Sequence, residues 1–542
     1  MKMTYDDWYD AAALTKNIEK KTKGTFSINE VLKINAGLYP GNLFMNSFGE
    51  KMTWAEGLKK VNRLANSFRK LGIEKGDKIS ILCGDSDKFV LTDLAIMKAG
   101  AVVVTLNTRL ATAAAEIEFI LKDSDSRLLV IEDKYAGILG QLNKANLPEL
   151  KNVVTIGNVA PGTVSWAELL SSGSEDDPGV KVGGDEQAMQ LYTSGTMGRP
   201  KGAMLTHMNC LAQMDQMSHV TSYTPQDRVQ NMLPFPHCGF ICFSLSAFYA
   251  GAGLNIIYPF DPAKCVGFAM EQKATVLVIV PAMVNMILNL QDIIKSYDLR
   301  SLRLIMYGSA PVPYAMIQKM RELWPWIKLQ NIFGMTECAA AISTMKDEEA
   351  LTKIAGVGKV VPGGTLRVVD EKGVDVKIGE VGEIIYKGPN VMKGYYKNPD
   401  ATAKALEGGW YHTGDLGVFD EDGILKIVDR AKDMLIRGGE NVYPAEVERV
   451  LFEIPAALDC AVVGVPEERL GERTKAFIVL KQGQSLTPAE VVEHCKKKLA
   501  MFKVPEVIEF IKEIPRTPMA KIDKVSLRSH PRDKEWRAWD KK

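Results

Sequence analysis

The sequence lacks the patterns that would place the protein in a membrane or an oxidising compartment. Its eight cysteines are scattered without a CxxC pair, which argues against a zinc site or disulfide framework and favours buried thiols in a reducing compartment. No run approaches the ~18 uncharged residues that a membrane span needs. Lysine plus arginine (67) nearly equals aspartate plus glutamate (66), so no net field favours nucleic acid or anionic lipid.

The N-terminal segment Met1–Lys23 also lacks the apolar core of a secretory signal, so we expect a cytoplasmic protein. The chain has 542 residues, which is too long for one ordinary domain. Its 46% hydrophobic and 25% charged residues are typical of a globular protein with substantial cores.

Two series of short β-branched runs alternate with helical-period segments. The first comprises Lys78–Cys83, Leu91–Lys98, Ala101–Leu106, Ala113–Leu121 and Arg127–Ile131. The second comprises Val276–Val280, Met283–Asp292, Arg303–Tyr307, Tyr314–Leu323 and Lys328–Phe333. Such alternation predicts an α/β fold with right-handed crossovers and parallel sheets, in two stacked subdomains.

The texture changes beyond Asp429. Pro444–Phe452 has a helical pattern, Cys460–Val465 and Ala476–Leu480 have strand patterns, and Thr487–Glu490 predicts a capping box that opens a helix. We therefore predict an N-terminal domain of residues 1–430 and a small α+β domain of residues 431–542.

The strongest local signal is a loop, Tyr192–Gly202, with the sequence YTSGTMGRPKG. Its glycines let backbone N–H groups approach phosphate oxygens, its hydroxyls donate, and Lys201 supplies charge. It is not a Walker A loop, because Pro200 stands where that motif needs glycine and Gly202 replaces the final serine or threonine. Taken alone, such a loop is as consistent with a turn as with a phosphate site.

Two further loops follow strands of the second series. Gly308–Pro311 has small residues that leave room for a flat ring, and Phe333–Glu337 offers an aromatic ring and a carboxylate. Ligands of open parallel sheets bind beyond the carboxyl ends of strands. Glu337 is a hard oxygen ligand of the kind that magnesium combines with substrate phosphates. An isolated Thr–Glu pair is, however, more often a solvated loop.

Three more segments carry clustered polar residues. Tyr411–Asp415 places a carboxylate suited to ribose hydroxyls, Asp429–Glu446 combines a charged link with a glycine pair, and Pro515–Lys524 presents a lysine near the C-terminus. Each by itself is better explained as solvated surface charge.

Together and in this order, the six segments resemble the motifs of the adenylate-forming (ANL) superfamily of acyl-CoA synthetases, aryl-CoA ligases, luciferases and adenylation domains. The resemblance extends from about Trp54 to Lys524. It implies a large N-terminal domain of stacked mixed α/β subdomains with a β-barrel-like piece, and a small mobile C-terminal domain. It also implies an AMP-forming acyl-CoA synthetase that uses ATP, Mg²⁺ and coenzyme A.

The resemblance assigns roles to individual residues. Thr193, Ser194, Gly195, Thr196 and Lys201 hold phosphates, and Thr193 and Glu337 are the metal ligands. The adenine slot is lined by Gly308, Ser309, Ala310, Asn331 and Phe333, and the ribose is held by Asp415 and Arg430. The catalytic set is Lys521, His237, Thr336 and Glu337. Lys432 matches the hinge, and the strand beside the pantetheine tunnel is matched by Gly438, Gly439 and Glu440.

Two departures from the superfamily pattern stand out. Phe333 replaces the usual tyrosine, which keeps the stacking ring and loses a hydroxyl. Met519 and Ala520 precede Lys521, where the superfamily usually has a glycine.

The residues that match the acyl pocket are mostly apolar: Gly239, Phe243, Met306, Ser309, Ile332, Gly334, Ala340 and Ala341. The set has no aspartate to meet an amino group and no cation to meet a second carboxylate. We therefore expect a compact aromatic, alicyclic or short-to-medium acid, with Ile332 limiting the depth of the pocket. The alternatives are a long-chain fatty acid–CoA ligase, a carrier-protein-loading or luciferase-like enzyme and, from a different class, an inactive nucleotide-binding protein. The expected partners are the acid and coenzyme A, without nucleic acid or an integral membrane segment; a homodimer is among the open oligomeric states.

Overall fold

The computed structural model describes residues 2–4, 9–193, 200–310, 312, 314–353, 356–467, 469–516, 522–530 and 535–537. The chain forms two compact units. The larger contains residues 2–366 and 386–412, and the smaller contains residues 367–385 and 413–542. The sequence-based domains 1–430 and 431–542 stay a prediction. Among the residues described, no helix combines the length and apolar character needed to cross a bilayer.

One sheet of the larger unit has eight strands and confirms the first predicted series. Their order across the sheet is Gly394–Tyr395, Lys201–Thr206, Gln187–Thr193, Val102–Thr105, Lys78–Leu82, Ser126–Glu132, Asn152–Ile156 and Val164–Ser165. The strands from Gln187–Thr193 onward pair in parallel. Val102–Thr105 is buried along its whole length, which explains its unbroken β-branched sequence.

The second sheet of this unit contains the second predicted series. Its strands in this unit follow the order Gly356–Val360, Ala340–Met345, Lys328–Met335, Leu304–Gly308, Val276–Ile279, Arg228–Asn231, Gly253–Ile256, Leu43–Ser47 and Glu50–Thr53. The six from Lys328–Met335 to Leu43–Ser47 are parallel, whereas Ala340–Met345 and Glu50–Thr53 pair antiparallel. The sheet is therefore mixed, as the superfamily resemblance implies.

Helices cover and connect these strands. The α-helices of the larger unit are Ala11–Lys21, Ile28–Leu38, Trp54–Lys70, Asp87–Lys98, Ala114–Asp123, Trp166–Ser172, His207–Thr221, Ser246–Tyr249, Pro262–Glu271, Pro281–Leu288, Gln291–Ile294, Tyr314–Leu323, Asp347–Ala350 and Pro399–Ala405. Shorter 3₁₀ segments are Thr108–Thr112, Asp133–Gln141, Lys144–Asn146, Thr336–Cys338 and Glu407–Gly409, and Phe240–Leu245 is a π-helix.

The smaller unit has its own strands and helices. One group of strands follows the order Thr365–Val369, Gly382–Lys387, Tyr411–Phe419 and Leu425–Arg430, and the boundary between the units along the chain falls within each of the first three. A separate sheet contains Glu440–Val442, Leu435–Arg437, Gly471–Leu480, Val507–Phe510 and Trp536–Arg537, with Ala457–Glu467 paired to Gly471–Leu480. The helical segments are Pro444–Leu451, Pro488–Lys496, Met501–Lys503 and Lys524–Arg528.

The predicted capping box at Thr487 is confirmed. The Thr487 hydroxyl accepts the Glu490 N–H at 3.3 Å, and the Glu490 carboxylate accepts the Thr487 N–H at 2.8 Å. All eight cysteines lie in the described ranges, and none forms a disulfide. Seven of them are buried and Cys238 is partly exposed, so the expectation of buried thiols is confirmed for seven.

Candidate active site

The predicted phosphate loop joins two antiparallel strands of the eight-stranded sheet. Thr193 ends one strand, Lys201 begins the next, and the two residues are register partners. Ser194, Gly195 and Thr196 lie outside the described residues, so their assignment stays a prediction. The Lys201 Nζ lies 4.9 Å from the ring centroid of Tyr395, which belongs to the neighbouring strand.

Oxygen atoms from three segments meet at Glu337. The Thr193 hydroxyl donates to Glu337 Oε1 at 3.4 Å, and the Tyr395 hydroxyl donates to the same oxygen at 2.9 Å. The Glu337 carbonyl accepts the Met392 N–H at 2.7 Å. Burial, followed by the Glu337 charge, raises the pKa of Tyr395, so this hydroxyl stays protonated. One carboxylate flanked by hydroxyls fits a magnesium ion that takes its remaining ligands from phosphates and water.

Sequence reasoning missed Tyr395. It lies 58 residues beyond Glu337 in the chain, and it approaches Glu337 because Gly394–Tyr395 adds a short strand beside Lys201–Thr206. The signal that could have identified it is the Gly394–Tyr396 sequence GYY, in which two aromatic hydroxyls follow a glycine.

The predicted adenine residues occupy the ends of two neighbouring parallel strands. Gly308 pairs with Ile332, and a Cβ on Gly308 would lie 2.1 Å from the Ile332 carbonyl oxygen, so only glycine fits there. Ser309 has a φ of 67°, a left-handed conformation that costs energy in a non-glycine residue. The Asn331 amide donates to the Gly356 carbonyl at 3.4 Å.

The strand that contains Phe333 is longer than predicted. The sequence predicted a strand over Lys328–Phe333 and a loop over Phe333–Glu337, whereas the strand runs over Lys328–Met335. It extends because the strand Ala340–Met345 pairs with it in antiparallel fashion. In this pairing Asn331 lies opposite Met345, and Met335 lies opposite Ala340. Asn331 and Phe333 are two residues apart on this strand, so both face the same side.

Thr336 connects this region to the histidine loop. The Thr336 hydroxyl donates to Cys238 Sγ at 3.6 Å, and Cys238 directly follows His237. The His237 Nε2 lies 3.3 Å from the Asn107 amide nitrogen, and Thr105 donates to the Pro236 carbonyl at 2.6 Å. The structure thus brings the predicted His237 and Thr336 into one neighbourhood.

The predicted acyl-pocket residues form two groups. In the first, Phe243 lies on the π-helix, and its ring is 3.8 Å from the position of a Cβ on Gly239. In the second, a Cβ on Gly334 would lie 1.6 Å from the Ala340 carbonyl oxygen, so the two strands touch at that point. The fully or nearly fully buried members are Phe243, Met306, Ile332, Ala340 and Ala341.

In the smaller unit, Asp415 and Arg430 are cross-strand partners joined by a contact of 3.1 Å between Arg430 Nε and Asp415 Oδ1. The aspartate is buried, while the arginine side chain is 44% exposed. An ion pair with one exposed member adds little to stability. The two residues predicted to hold the ribose therefore lie side by side, and their role in ribose binding stays a prediction.

The predicted hinge and tunnel residues follow this pair. Burial and the adjacent Arg430 charge lower the pKa of Lys432. Gly438 and Gly439 form the two-residue turn between Leu435–Arg437 and Glu440–Val442, with φ of 60° and 88°. Positive φ at both positions is typical of type I′ hairpin turns. The turn by itself therefore requires the glycines, a reason that the sequence interpretation did not include.

Lys521 lies outside the described residues, so its predicted role is untested by the geometry. On either side of it, Arg516 and Ile522 form an antiparallel bridge, and the Asp523 N–H donates to the Pro515 carbonyl at 2.9 Å.

Known proteins resemble the chain over most of its length. The sequence profile of the AMP-binding enzyme family matches residues 32–396, and that of the AMP-binding enzyme C-terminal domain matches residues 446–521. The chain belongs to the AMP-binding enzyme family. The prediction of an adenylate-forming acyl-CoA synthetase is thereby confirmed.

Relatives and solved structures support this membership. The putative acyl-CoA synthetase YngI of Bacillus subtilis is 34% identical over 533 residues, covering 93% of this chain and 96% of that protein. The long-chain-fatty-acid–CoA ligase FadD13 of Mycobacterium tuberculosis is 33% identical over 485 residues, covering 88% and 93%. The anthranilate CoA ligase AuaEII, solved with anthranoyl-AMP, superposes with a TM-score of 0.85 at 27% identity, covering 93% and 96%. The predicted fold class is confirmed.

Proposed function

We propose that this acyl-CoA synthetase activates a compact carboxylic acid with ATP and transfers the acyl group to coenzyme A. A carboxylate oxygen attacks the α-phosphorus of ATP, the bond to pyrophosphate breaks, and acyl-AMP forms. The coenzyme A thiol then attacks the acyl carbon, loses its proton, and displaces AMP, which keeps that carboxylate oxygen. The first step is needed because oxide is a very poor leaving group, whereas AMP is a good one.

The observation that carries this proposal is the meeting of Thr193, Glu337 and Tyr395 around one carboxylate oxygen, next to Thr336. Thr193 and Glu337 would hold a magnesium ion, which supplies charge neutralisation for the phosphates. Thr193 and Lys201 bind the β- and γ-phosphates, and Thr336 donates to the α-phosphate. In-line displacement at phosphorus needs mainly positioning and charge compensation, which these groups provide.

His237 lies beside the carboxylate that attacks. Its loop is held by bonds from Thr105 and Asn107, so the ring has a defined orientation. Lys521 bridges the attacking carboxylate and the α-phosphate, a role that requires a positive charge. Both assignments extend the superfamily resemblance to this chain.

The residues of the smaller unit bind the rest of the nucleotide and the thiol. Asp415 accepts the ribose hydroxyls and Arg430, already paired to it, fixes its carboxylate. Lys432 serves as the hinge, and Gly438, Gly439 and Glu440 border the pantetheine in the second half-reaction.

The acid is compact because the candidate pocket is apolar and Ile332 limits its depth. Phe243, Met306 and Ile332 are buried and offer apolar surface, which favours an aromatic, alicyclic or short-to-medium acyl group. The second candidate is a long-chain fatty acid, favoured by the similarity to FadD13. Both readings use the same chemistry and differ in pocket depth.

A panel of acids tests the proposal. Benzoate, cyclohexanecarboxylate and straight-chain acids of increasing length are assayed for pyrophosphate release and acyl-CoA formation, with and without coenzyme A. We expect pyrophosphate release and a thioester with compact acids. A preference for long fatty acids would replace the compact-acid proposal, and thioester formation on a carrier protein alone would exclude a CoA ligase. Absence of pyrophosphate release with every acid would indicate an inactive nucleotide-binding protein.

A further inference from the structure

A buried amide, Asn390, lies behind the turn that presents Glu337. Its Nδ2 donates to the Cys338 carbonyl at 2.8 Å and to the Ala341 carbonyl at 3.1 Å. Its Oδ1 accepts the Tyr386 hydroxyl at 2.7 Å. Asn390 has no exposed surface, and both ends of its amide are engaged, so its orientation is fixed.

The turn that Asn390 contacts has a costly backbone conformation. Ala339 has a φ of 53° and Ala340 a φ of 125°, both in the region that favours glycine. The same turn approaches Gly334 so closely that a Cβ there would overlap the Ala340 carbonyl. Residues in such conformations persist where the surrounding contacts over-determine them.

Two more contacts hold the turn. The Ala341 N–H donates to the buried Gln213 Oε1 at 2.8 Å. The Met392 N–H, two residues beyond Asn390, donates to the Glu337 carbonyl at 2.7 Å. The backbone from Glu337 to Ala341 is thus fixed at Glu337, Cys338 and Ala341 by groups outside the turn.

We propose that Asn390 is a positioning residue that keeps the turn from Thr336 to Ala341 in its strained conformation. Through this turn it sets both the carboxylate of Glu337 and the acyl-pocket wall at Ala340 and Ala341. The inference rests on the proposed function, because it assigns Asn390 to the same site. It adds a link between nucleotide binding and acid preference, since one amide supports both surfaces.

The side chain at position 390 needs both a donor and an acceptor. An ionised aspartate accepts the Tyr386 hydroxyl but cannot donate to the two carbonyls, and an aliphatic residue does neither. Either replacement leaves buried carbonyl oxygens without this donor and allows the turn to relax towards ordinary backbone angles.

The test compares Asn390→Ala with a matched control, Asn35→Ala. Asn35 is equally buried in the larger unit, its Nδ2 donates to the Phe248 carbonyl, and its Oδ1 accepts from Lys21. For Asn390→Ala we expect kcat/KM to fall by about 10- to 100-fold, as for other groups that support a site. We also expect a higher KM for Mg-ATP and a changed ratio of kcat/KM between a short and a longer acid. Asn35→Ala should lose thermal stability while both its KM for Mg-ATP and its acid ratio stay as in the parent.

A second change separates positioning from general packing. Ala339→Gly removes the Cβ that disfavours a φ of 53°, so the turn needs less support. Added to Asn390→Ala, it should restore part of the lost activity and return the acid ratio towards that of the parent. If Asn390→Ala does not fold, Tyr386→Phe removes the shorter of two bonds to the amide oxygen and leaves the bond from Gln216 Nε2 at 3.4 Å. It should shift the ratio in the same direction by a smaller factor.

The outcomes distinguish the two proposals. If the parent forms no acyl-CoA from any acid, the proposed function fails before the variants are compared. If the parent is active and Asn390→Ala keeps the acid ratio and Mg-ATP KM of Asn35→Ala, the positioning role is wrong. Failure of Ala339→Gly to restore any activity would likewise contradict it.

Discussion

Ile332 and Phe333 are adjacent on one strand and so face opposite sides of the sheet. If Phe333 faces the adenine, Ile332 faces the acyl cavity, where its branched side chain limits substrate length. In Ile332→Gly the straight-chain acid with the highest kcat/KM should therefore be several carbons longer than in the parent. The kcat/KM for benzoate should fall. Each methylene of the acid that becomes newly buried contributes up to about 0.8 kcal/mol to its binding.

The control for this change is Lys328→Gly. Lys328 begins the same strand and is exposed, so glycine there loosens the strand without changing the pocket. The melting temperature of both variants is measured, because glycine in a strand costs about 0.5–1 kcal/mol. An unchanged chain-length profile in Ile332→Gly, or a parent that already prefers long fatty acids, would contradict the compact pocket.

Lys521 is a separate prediction at the residue scale. Lys521→Ala should slow adenylation by about 10²–10³, the usual effect of losing one charge-stabilising donor. Formation of acyl-CoA from presynthesised acyl-AMP should remain near the parent rate, because no phosphate charge then develops. The exposed Lys512 of the same unit provides the control Lys512→Ala. An equal loss in both half-reactions would show that Lys521 is not confined to the first.

The glycine hairpin belongs to the scale of secondary-structure elements. A side chain at Gly439 would strain the backbone, which has a φ of 88° there, and would obstruct the proposed approach of pantetheine. It would not overlap the protein itself, because no described atom lies within 4 Å of an added Cβ. Gly439→Leu should slow thioester formation, cause acyl-AMP to accumulate and leave pyrophosphate release largely unchanged.

Gly373 gives a control with the same backbone problem. It has a φ of 75°, lies in a turn of the smaller unit, and an added Cβ again meets no described atom within 4 Å. Gly373→Leu should lower stability and leave the rates of both half-reactions as in the parent. If the two variants give the same kinetics, the effect at Gly439 is strain in the hairpin rather than obstruction of the thiol.

The elements that the sequence predicted best are the buried parallel strands. Runs such as Val102–Thr105 and Val276–Ile279 are buried throughout, and their short length and β-branched residues favour a strand over a buried helix. The predicted end of the strand Lys328–Met335 was wrong, because its last residues pair in antiparallel register with the strand that follows it in the chain. Such pairing depends on contacts that a local pattern does not contain.

The site was predicted through the motif set, not through its contacts. Thr193 and Glu337 are 144 residues apart, and their meeting could be expected only from the superfamily resemblance. Tyr395 and Asn390 belong to no motif that was recognised. Their contacts depend on the segment after Tyr386 folding back against Glu337 and Cys338. The π-helix at Phe240–Leu245 was also missed, since its apolar sequence fits an ordinary buried helix equally well.

The pH dependence of stability is a property of the whole molecule. Asp85 accepts the Phe235 N–H at 2.9 Å, and burial raises its pKa to about 7. Between pH of about 4 and about 7 the folded state therefore keeps a proton that the unfolded chain has lost. The free energy of unfolding contributed by this group falls as pH rises through that window, by up to about 4 kcal/mol.

Asp85→Asn tests this sign, because an amide oxygen accepts the same bond and does not ionise. Urea midpoints are compared at several pH values from 4.5 to about 8, a range that spans the titration. The parent should lose stability relative to Asp85→Asn as pH rises to about 7. Asp87→Asn, two residues further and partly exposed, is the control. Parallel pH profiles for the parent and Asp85→Asn would contradict the buried, protonated carboxyl.

In the proposed mechanism a carboxylate oxygen of the acid is transferred to AMP. The most direct measurement supplies an acid labelled with ¹⁸O in its carboxylate, together with ATP and coenzyme A, and follows the label by mass spectrometry. We expect one labelled oxygen in the AMP, none in the pyrophosphate, and one left in the acyl-CoA carbonyl. Unlabelled AMP, or label in inorganic phosphate released with ADP, would contradict it.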